Sequence, residues 1–460
     1  MKPIFVGLVC SVWAWAWDPT AAEKAAIAKI SAASMRGHLS FLASDLLEGR
    51  STPSRGQDLA AEYIAAQFRR AGLEPAGPNG SYFQEADFVS ITPKMDDFRL
   101  TWNGATFGSA DAYVAVSGAV DLGLTPVVRL PADNVEGKIV IGQMMAYSRG
   151  PAVAALRAQK PAMIVLVNKT RFRGFPTSQL KAGDAGDDVP TVILFGDKAV
   201  ELLESKDTAS IAAHVSAPEK KPVKLRNVAA ILRGSDAQLK EEYVVLSAHY
   251  DHLPPRLEGT EGDRIFNGAN DNGSGTVSVV EIASALATAD VHPKRSLLFV
   301  TFFGEEIGLL GANYYTKHPL VPLKNTVANI NLEQMGRTDE QDGKQMGRFA
   351  FTGPTYSNIP GMMEEAAKTE GVGVYEKKGA DAFFGRSDNY AFAQAGIVDH
   401  TVVVAFEYPD YHAVGDEWEK LDYDNMAKVD RGVAAGLVRL ADETEAPKWS
   451  NVPEANKYRK

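Results

Sequence analysis

Several apolar runs in this chain lead directly into residues able to hold a divalent cation. Tyr243-Val-Val-Leu-Ser-Ala-His249 ends in an imidazole, Arg295-Ser-Leu-Leu-Phe-Val-Thr-Phe-Phe-Gly304 leads into Glu305 and Glu306, and Thr326-Val-Ala-Asn-Ile-Asn-Leu332 leads into Glu333. Asp271 stands just before Asn-Gly-Ser-Gly, whose glycines permit a tight turn into a helical pattern, and Tyr411-His412 adds a late imidazole beside a phenol. One aspartate can bridge two cations from its two oxygens. Adjacent glutamates point in different directions, so one can hold a metal while the other faces a bound water, the division of labour that metal-assisted hydrolysis needs. Asp251, two residues beyond His249, is close enough for it or its neighbourhood to orient the ring. Taken singly each feature is ordinary: a lone histidine is usually structural, a glutamate pair a solvated face, Asn-Gly-Ser-Gly a turn. Their shared position at the ends of buried strands is not ordinary, because desolvating such groups is costly unless they are paired or metal-bound.

The elements that must position these residues follow from the pattern. Short continuous apolar runs alternating with helical stretches describe an α/β fold with a parallel sheet covered on both faces, whose ligands bind beyond the carboxyl ends of the strands. Upstream, Ala21–Ile30 is alanine-rich and helical. Gly56–Ala71 is an amphipathic helix with Leu59, Tyr63, Ile64 and Phe68 on one face and Gly72 placed for a left-handed cap. From about residue 110 the character changes to short strands, 125–130, 137–142, 162–167 and 190–195, separated by Gly, Pro and Asp turns. Ala217-Pro-Glu-Lys-Lys-Pro222 is a polar boundary before Asn227 resumes a strand pattern. The simplest organisation is one domain inserted into another, with the scaffold at 23–110 and 218–460 and the insert at 111–217.

Composition narrows the function classes. The chain has 460 residues, 45% hydrophobic and 23% charged, and a formal net charge of -10, which disfavours nucleic acid or an anionic membrane as partner. Met1-Lys2-Pro3 followed by an apolar stretch to Trp17 reads as a secretory signal, residues 1–22, after whose removal no stable membrane insertion is expected. Cys10, the single cysteine, lies inside it, so the expected mature protein has no thiol and suits a bacterial periplasm or extracellular space.

Six motifs, in order, resemble those of peptidase family M28, the di-zinc aminopeptidase and glutamate-carboxypeptidase group. They are Ser247-Ala-His-Tyr-Asp-His252, Gly268-Ala-Asn-Asp-Asn-Gly-Ser-Gly275, Phe303-Gly-Glu-Glu-Ile-Gly-Leu-Leu-Gly311, Asn329-Ile-Asn-Leu-Glu-Gln-Met-Gly336, Arg386-Ser-Asp-Asn-Tyr390 and Tyr411-His412. Phe41–Arg50 is similar to the opening segment of bacterial members, and the insert is similar to a protease-associated domain that sits as a lid near the cleft. The resemblance implies a mixed, largely parallel sheet with helices on both faces and two Zn2+ per chain. His249 and Glu333 would hold one zinc, Glu306 and His412 the other, and Asp271 would bridge them. Glu305 would act as general base on a bridging water, with Tyr411 stabilising the oxyanion and Asp388 helping to shape the substrate pocket. Glu333 departs from the commoner Asp by one methylene.

The implied substrate is a peptide and the implied enzyme an exported aminopeptidase. An M28-type carboxypeptidase is the alternative, and it needs an arginine cluster for the terminal carboxylate. A glutaminyl-cyclase-like enzyme uses a single zinc and lacks the first histidine, which counts His249 against it. A non-catalytic peptide-binding homologue is opposed by competent residues at every ligand position.

Overall fold

A computed structural model describes residues 17–460 except 117, 148–149, 171–177, 184–188, 207–209, 257–260 and 290, so residues 1–16 of the expected signal, Cys10 among them, lie outside the described residues. The chain divides into two compact units, one built from the chain up to Glu85 together with Arg226–Lys460 and the other from Ala86–Leu225.

In the first unit the strands Ser296–Phe302, Tyr243–His249, Thr326–Glu333 and Val398–Val403 are parallel neighbours in that order. Glu219–Leu232 and Arg348–Phe351 flank them antiparallel, so the sheet is mixed and largely parallel. Every residue of Tyr243–His249 and Ser296–Phe302 is buried, which is why both read as continuous rather than alternating apolar runs. Val245, Leu298 and Val300 meet Ala312, Tyr315 and Phe392 from helices Leu310–Lys317 and Asn389–Ala395. Helix Gly275–Ala287 packs on the same parallel strands and helix Tyr423–Asp442 on Tyr243–His249. The loops after His249, Phe302, Glu333 and Val403 therefore share the carboxyl edge of the parallel strands, where α/β sheets bind ligands.

Helix Arg55–Arg70 forms within a residue of its expected bounds, capped by the Ser54 hydroxyl accepting from Gln57 N–H. Ile64 and Phe68 are buried as expected, but Leu59 is 40% exposed, and Ala60, Ala61 and Ala65 take the inner face instead. The expected Ala21–Ile30 helix ends at Ile27, and a second helix, Ala32–Leu42, follows it behind the Ser31 cap.

The second unit contains a five-stranded and a four-stranded sheet. It begins some 25 residues before the expected boundary at 111, because Phe98, Leu100 and Phe107 pack with Val127, Ile139 and Val165 in its core. Their strands Arg99–Trp102 and Ala105–Phe107 pair with each other, and the former also pairs with Ile211–Val215. The polar stretch ending at Pro222, expected as a domain boundary, largely belongs to strand Glu219–Leu232, whose first four residues are exposed. Its composition reflects an exposed strand end, where a missing N–H is tolerated.

Candidate metal centre

His249 is the last residue of its strand and 1% exposed. Its Nδ1 lies 3.1 Å from the main-chain oxygen of Asp251. A carbonyl oxygen only accepts, so Nδ1 carries a proton and Nε2 is the nitrogen turned toward the carboxylates and available for a ligand role. That Nε2 stands 3.3 Å from Glu333 Oε1, 3.5 Å from Asp271 Oδ1 and 3.8 Å from Glu305 Oε2. On the other side, His412 Nε2 lies 3.0 Å from Asp271 Oδ2 and 3.2 Å from Glu306 Oε2. Asp271 thus presents one oxygen to each cluster. All six residues expected at the ends of the strands converge, with the phenol of Tyr411 stacked on the His412 ring at 4.0 Å between centroids.

His252, which is not among the residues expected at the site, joins the second cluster. Its Nδ1 is 2.7 Å from Glu306 Oε1 and 3.9 Å from Asp271 Oδ2, and its Nε2 is buried without a hydrogen-bond partner. His249, Asp271 and Glu333, and separately His252, Asp271 and Glu306, each offer donor atoms within 4.8 Å of one another. The signal for His252 was the second imidazole in His249-Tyr-Asp-His252.

Asp251 and Asp388 occupy contrasting places. Asp251 orients His249 through its main chain, while its carboxylate accepts from Glu305 N–H at 3.1 Å and from the Thr52 hydroxyl at 3.1 Å. Asp388 does not line the cavity beside the metal centre. It is fully buried, neither oxygen accepts a hydrogen bond among the described residues, and burial pushes its carboxyl well above the usual range. The neighbouring Ser387 faces the cavity instead and donates to Glu333 Oε1.

The turn holding Asp271 is fixed from both sides. Asp416 is fully buried, and its carboxylate accepts from Asn270 N–H and Asp271 N–H, both at 3.0 Å, and from the Tyr408 hydroxyl at 3.0 Å. Asn272 Oδ1 accepts from Gly275 N–H, and its amide donates to Leu332 O, tying the turn to the Glu333 strand. Gly275 must lack a side chain, since a Cβ there would lie 2.5 Å from Leu332 O.

The electrostatics call for cations. Asp271, Glu305, Glu306 and Glu333 crowd into one buried space, and among the described residues no Lys or Arg forms an ion pair with any of them. Burial holds the Glu305 carboxyl well above its usual range, against the pull of His249, and raises Glu333 similarly. For Glu306 burial acts upward too, but His252 and His412 win and hold it low. Burial alone would depress His412, yet hydrogen bonds to Asp271 and Glu306 lift it to about 10. Asp271 Oδ2 is buried, with His412 Nε2 at 3.0 Å and His252 Nδ1 at 3.9 Å as its neighbours. Nitrogen and carboxylate donors in two groups that share one aspartate fit a pair of divalent cations. Beside them opens a cavity of about 320 Å³ whose walls include Thr352, Phe383, Val403, Phe406 and Tyr408.

Residues 227–437, the stretch that holds every one of these donors, match the profile of peptidase family M28. Over that stretch, just under half of the chain, the protein is similar to the M28 peptidases. Aminopeptidase YwaD of Bacillus subtilis (strain 168) is 26% identical over 329 residues, 68% of this chain and 65% of that protein. The matched stretch therefore spans just under two thirds of that relative's length. An aminopeptidase from Aneurinibacillus sp. strain AM-1 superposes with a TM-score of 0.63 at 19% identity, over 92% of this chain and 97% of that one. BSAP, a zinc aminopeptidase from Bacillus subtilis, superposes with a TM-score of 0.56 at 19% identity, over 88% and 94% of the two chains. At such identities the likeness is one of fold. The M28 match begins well after Arg50 and Thr52, which the first unit nonetheless packs beneath the metal centre.

Proposed function

We propose that this protein is an M28 peptidase, an exported di-zinc aminopeptidase that removes N-terminal residues from peptides. The observation that carries the reading is the Asp271 carboxylate, whose two oxygens face two separate donor clusters. His249 and Glu333 would hold one zinc, Glu306 and His412 the other, with Asp271 shared. His252, hydrogen-bonded to the far oxygen of Glu306, would orient that ligand. When bound, the zinc ions would supply positive charge that acidifies a water and stabilises an oxyanion.

The remaining work belongs to side chains of this chain. Glu305, next to the ligand Glu306 and directed at the same space, would take the proton of the attacking water and pass it to the leaving amine. Its burial-raised affinity for a proton suits that relay. Tyr411, whose hydroxyl burial keeps from ionising, would donate to the oxyanion from the cavity wall. Phe383, Val403 and Phe406 would exclude water from the bound residue.

The amino end of the substrate is favoured over the carboxyl end by the arginines. A carboxypeptidase would need a cluster of free guanidinium groups, but Arg337 is engaged by Asp339 and Asp410. Arg386 is the only arginine among the described residues lining the cavity. A free α-amine, in contrast, would meet Glu305 and Glu333. The 86–225 unit is proposed as the protease-associated domain, and the apolar start of the chain as the export signal. No described helix is long and apolar enough to cross a membrane.

A panel of peptides with free and blocked N-termini, assayed with and without a chelator, tests the reading. Metal-dependent release of the first residue from free peptides only is the expected result. Release from the carboxyl end, or cleavage insensitive to chelator, would reject it.

A further inference from the structure

The buried guanidinium of Arg50 lies directly beneath the metal centre and, among the described residues, pairs with no carboxylate. It is 1% exposed and spends its donors on four main-chain carbonyls: Tyr250 O at 2.9 Å, Leu42 O at 2.5 Å, Asn267 O at 2.7 Å and Gly268 O at 3.0 Å. Tyr250 immediately follows His249, and Gly268 stands three residues before Asp271. One side chain therefore spans the two loops that set the separation of a terminal ligand and the bridging ligand.

The backbone around Arg50 is shaped for this contact at a cost. Glu48, Gly49 and Arg50 all have positive φ, at 47°, 77° and 57°. For Glu48 and Arg50 that conformation is strained, and it persists only where the surroundings enforce it. Gly49 has no alternative, since a Cβ would lie 2.7 Å from Phe266 O and closer still to Leu253 O. The turn is thus wedged between the loop after His249 and the loop before Asp271. Neighbouring contacts act on the same loops. Thr52 donates to Asp251 Oδ2, Gln57 donates to Thr52, and Asn267 donates to Asp45 and Glu417.

We propose that Arg50 is a positioning residue of the metal centre, fixing the His249 and Asp271 loops so that their donors are in place before metal arrives. The proposal rests on the di-zinc reading and extends it to a segment outside the stretch matched to the family. The physical reason is geometric: a planar fork of five donors can hold several carbonyls of different loops at once, whereas the ammonium of lysine on its flexible stem cannot fix them in one arrangement.

A buried arginine can also serve stability alone, and this molecule holds one for comparison. Arg295 is 1% exposed and bonds Glu242, Glu443 O and Thr444 O. It sits just before strand Ser296–Phe302, whose opposite end leads to Glu305, so its loops carry no metal donor.

The test compares Arg50→Lys and Arg295→Lys with the parent by two readouts: thermal melting of zinc-free protein, and zinc affinity by competition with a chromophoric chelator. Both variants are expected to melt lower. Only Arg50→Lys is expected to lose zinc affinity, by about 10–100-fold, as removal of groups that orient metal ligands does elsewhere. Parental affinity in a folded Arg50→Lys protein overturns the proposal, and so does an equal loss in Arg295→Lys, which would assign the effect to stability. If Arg50→Lys does not fold, Thr52→Val carries the same prediction with a several-fold loss, and unchanged affinity there overturns it. A parent that takes up no zinc overturns the di-zinc reading itself; two tight zinc ions in the parent and equally tight ones in Arg50→Lys overturn the assignment of Arg50 alone.

Discussion

Asp416 offers a graded test of how the bridging aspartate is held. Its carboxylate accepts from the N–H groups of Asn270 and Asp271 and from the Tyr408 hydroxyl, with no solvent exposure. Asp416→Ala leaves three buried donors without an acceptor. Each stranded donor costs roughly 1–3 kcal/mol, and water entering the vacated volume recovers part of that, so a net loss of about 2–5 kcal/mol is expected. Asp416→Asn keeps the volume and one carbonyl oxygen. That oxygen, placed where Oδ2 now lies, still serves Asp271 N–H and Tyr408, while the amide turns its own N–H toward Asn270. One mismatch remains, for a loss of about 1–2 kcal/mol. Because Asp271 moves with its peptide, zinc affinity should fall in the same order, about tenfold for Asn and more for Ala. Urea unfolding of the zinc-free proteins measures the first effect and chelator competition the second. If Asp416→Ala unfolds within about 0.5 kcal/mol of the parent and binds zinc equally well, the claim that this carboxylate holds the Asp271 turn is refuted.

Other perturbations follow from the same geometry. Glu305→Gln should keep both zinc ions and lose turnover on the order of 100-fold or more, since the amide preserves shape but cannot accept a proton from water; near-normal turnover in the fully loaded variant rejects the base assignment. Gly275→Ala should lower the melting temperature, because the new Cβ would lie 2.5 Å from Leu332 O and overpacking of this kind costs about 1–3 kcal/mol; an unchanged melt contradicts the close approach. Burial raises Asp430 in helix Tyr423–Asp442 from 3.8 to about 8. A folded value above the unfolded one means that its contribution is full below about pH 4 and is lost as pH rises through about 8, with a ceiling on the order of 5 kcal/mol. Asp430→Asn should therefore flatten the fall in stability across that window and exceed the parent above pH 8, and parallel pH profiles for the two proteins would contradict it.

Much of the site could be read from the linear chain because buried parallel strands are written as uninterrupted apolar runs. Where the run stops, the chain reaches the carboxyl edge of the sheet, so His249, Glu305, Glu306 and Glu333 announce their place by following such runs. Residues that act through the fold left no such mark. Arg50 and Asp416 are charged residues in polar surroundings of sequence, and only the packed molecule shows both to be buried against main-chain groups of the metal loops. His252 was visible as a second imidazole, but its reach to Glu306 depends on the turn after His249. Asp388 and Ser387 are adjacent, and composition does not tell which faces the cavity; in the folded chain Ser387 lines it while Asp388 is buried at the start of helix Asn389–Ala395. Residues 86–110 read as scaffold in the linear chain, and the apolar residues Phe98, Leu100 and Phe107 reveal their allegiance to the 86–225 unit only through contact.

The account stands on two cations sharing Asp271, and zinc uptake by the parent and by Asp271→Ala measures that directly. The parent should take up two zinc ions per chain at equilibrium, and Asp271→Ala should hold neither with parental affinity, since its loss removes a donor from both clusters at once. A parent that saturates below two, or an Asp271→Ala protein that loads both ions as tightly as the parent, would contradict the account.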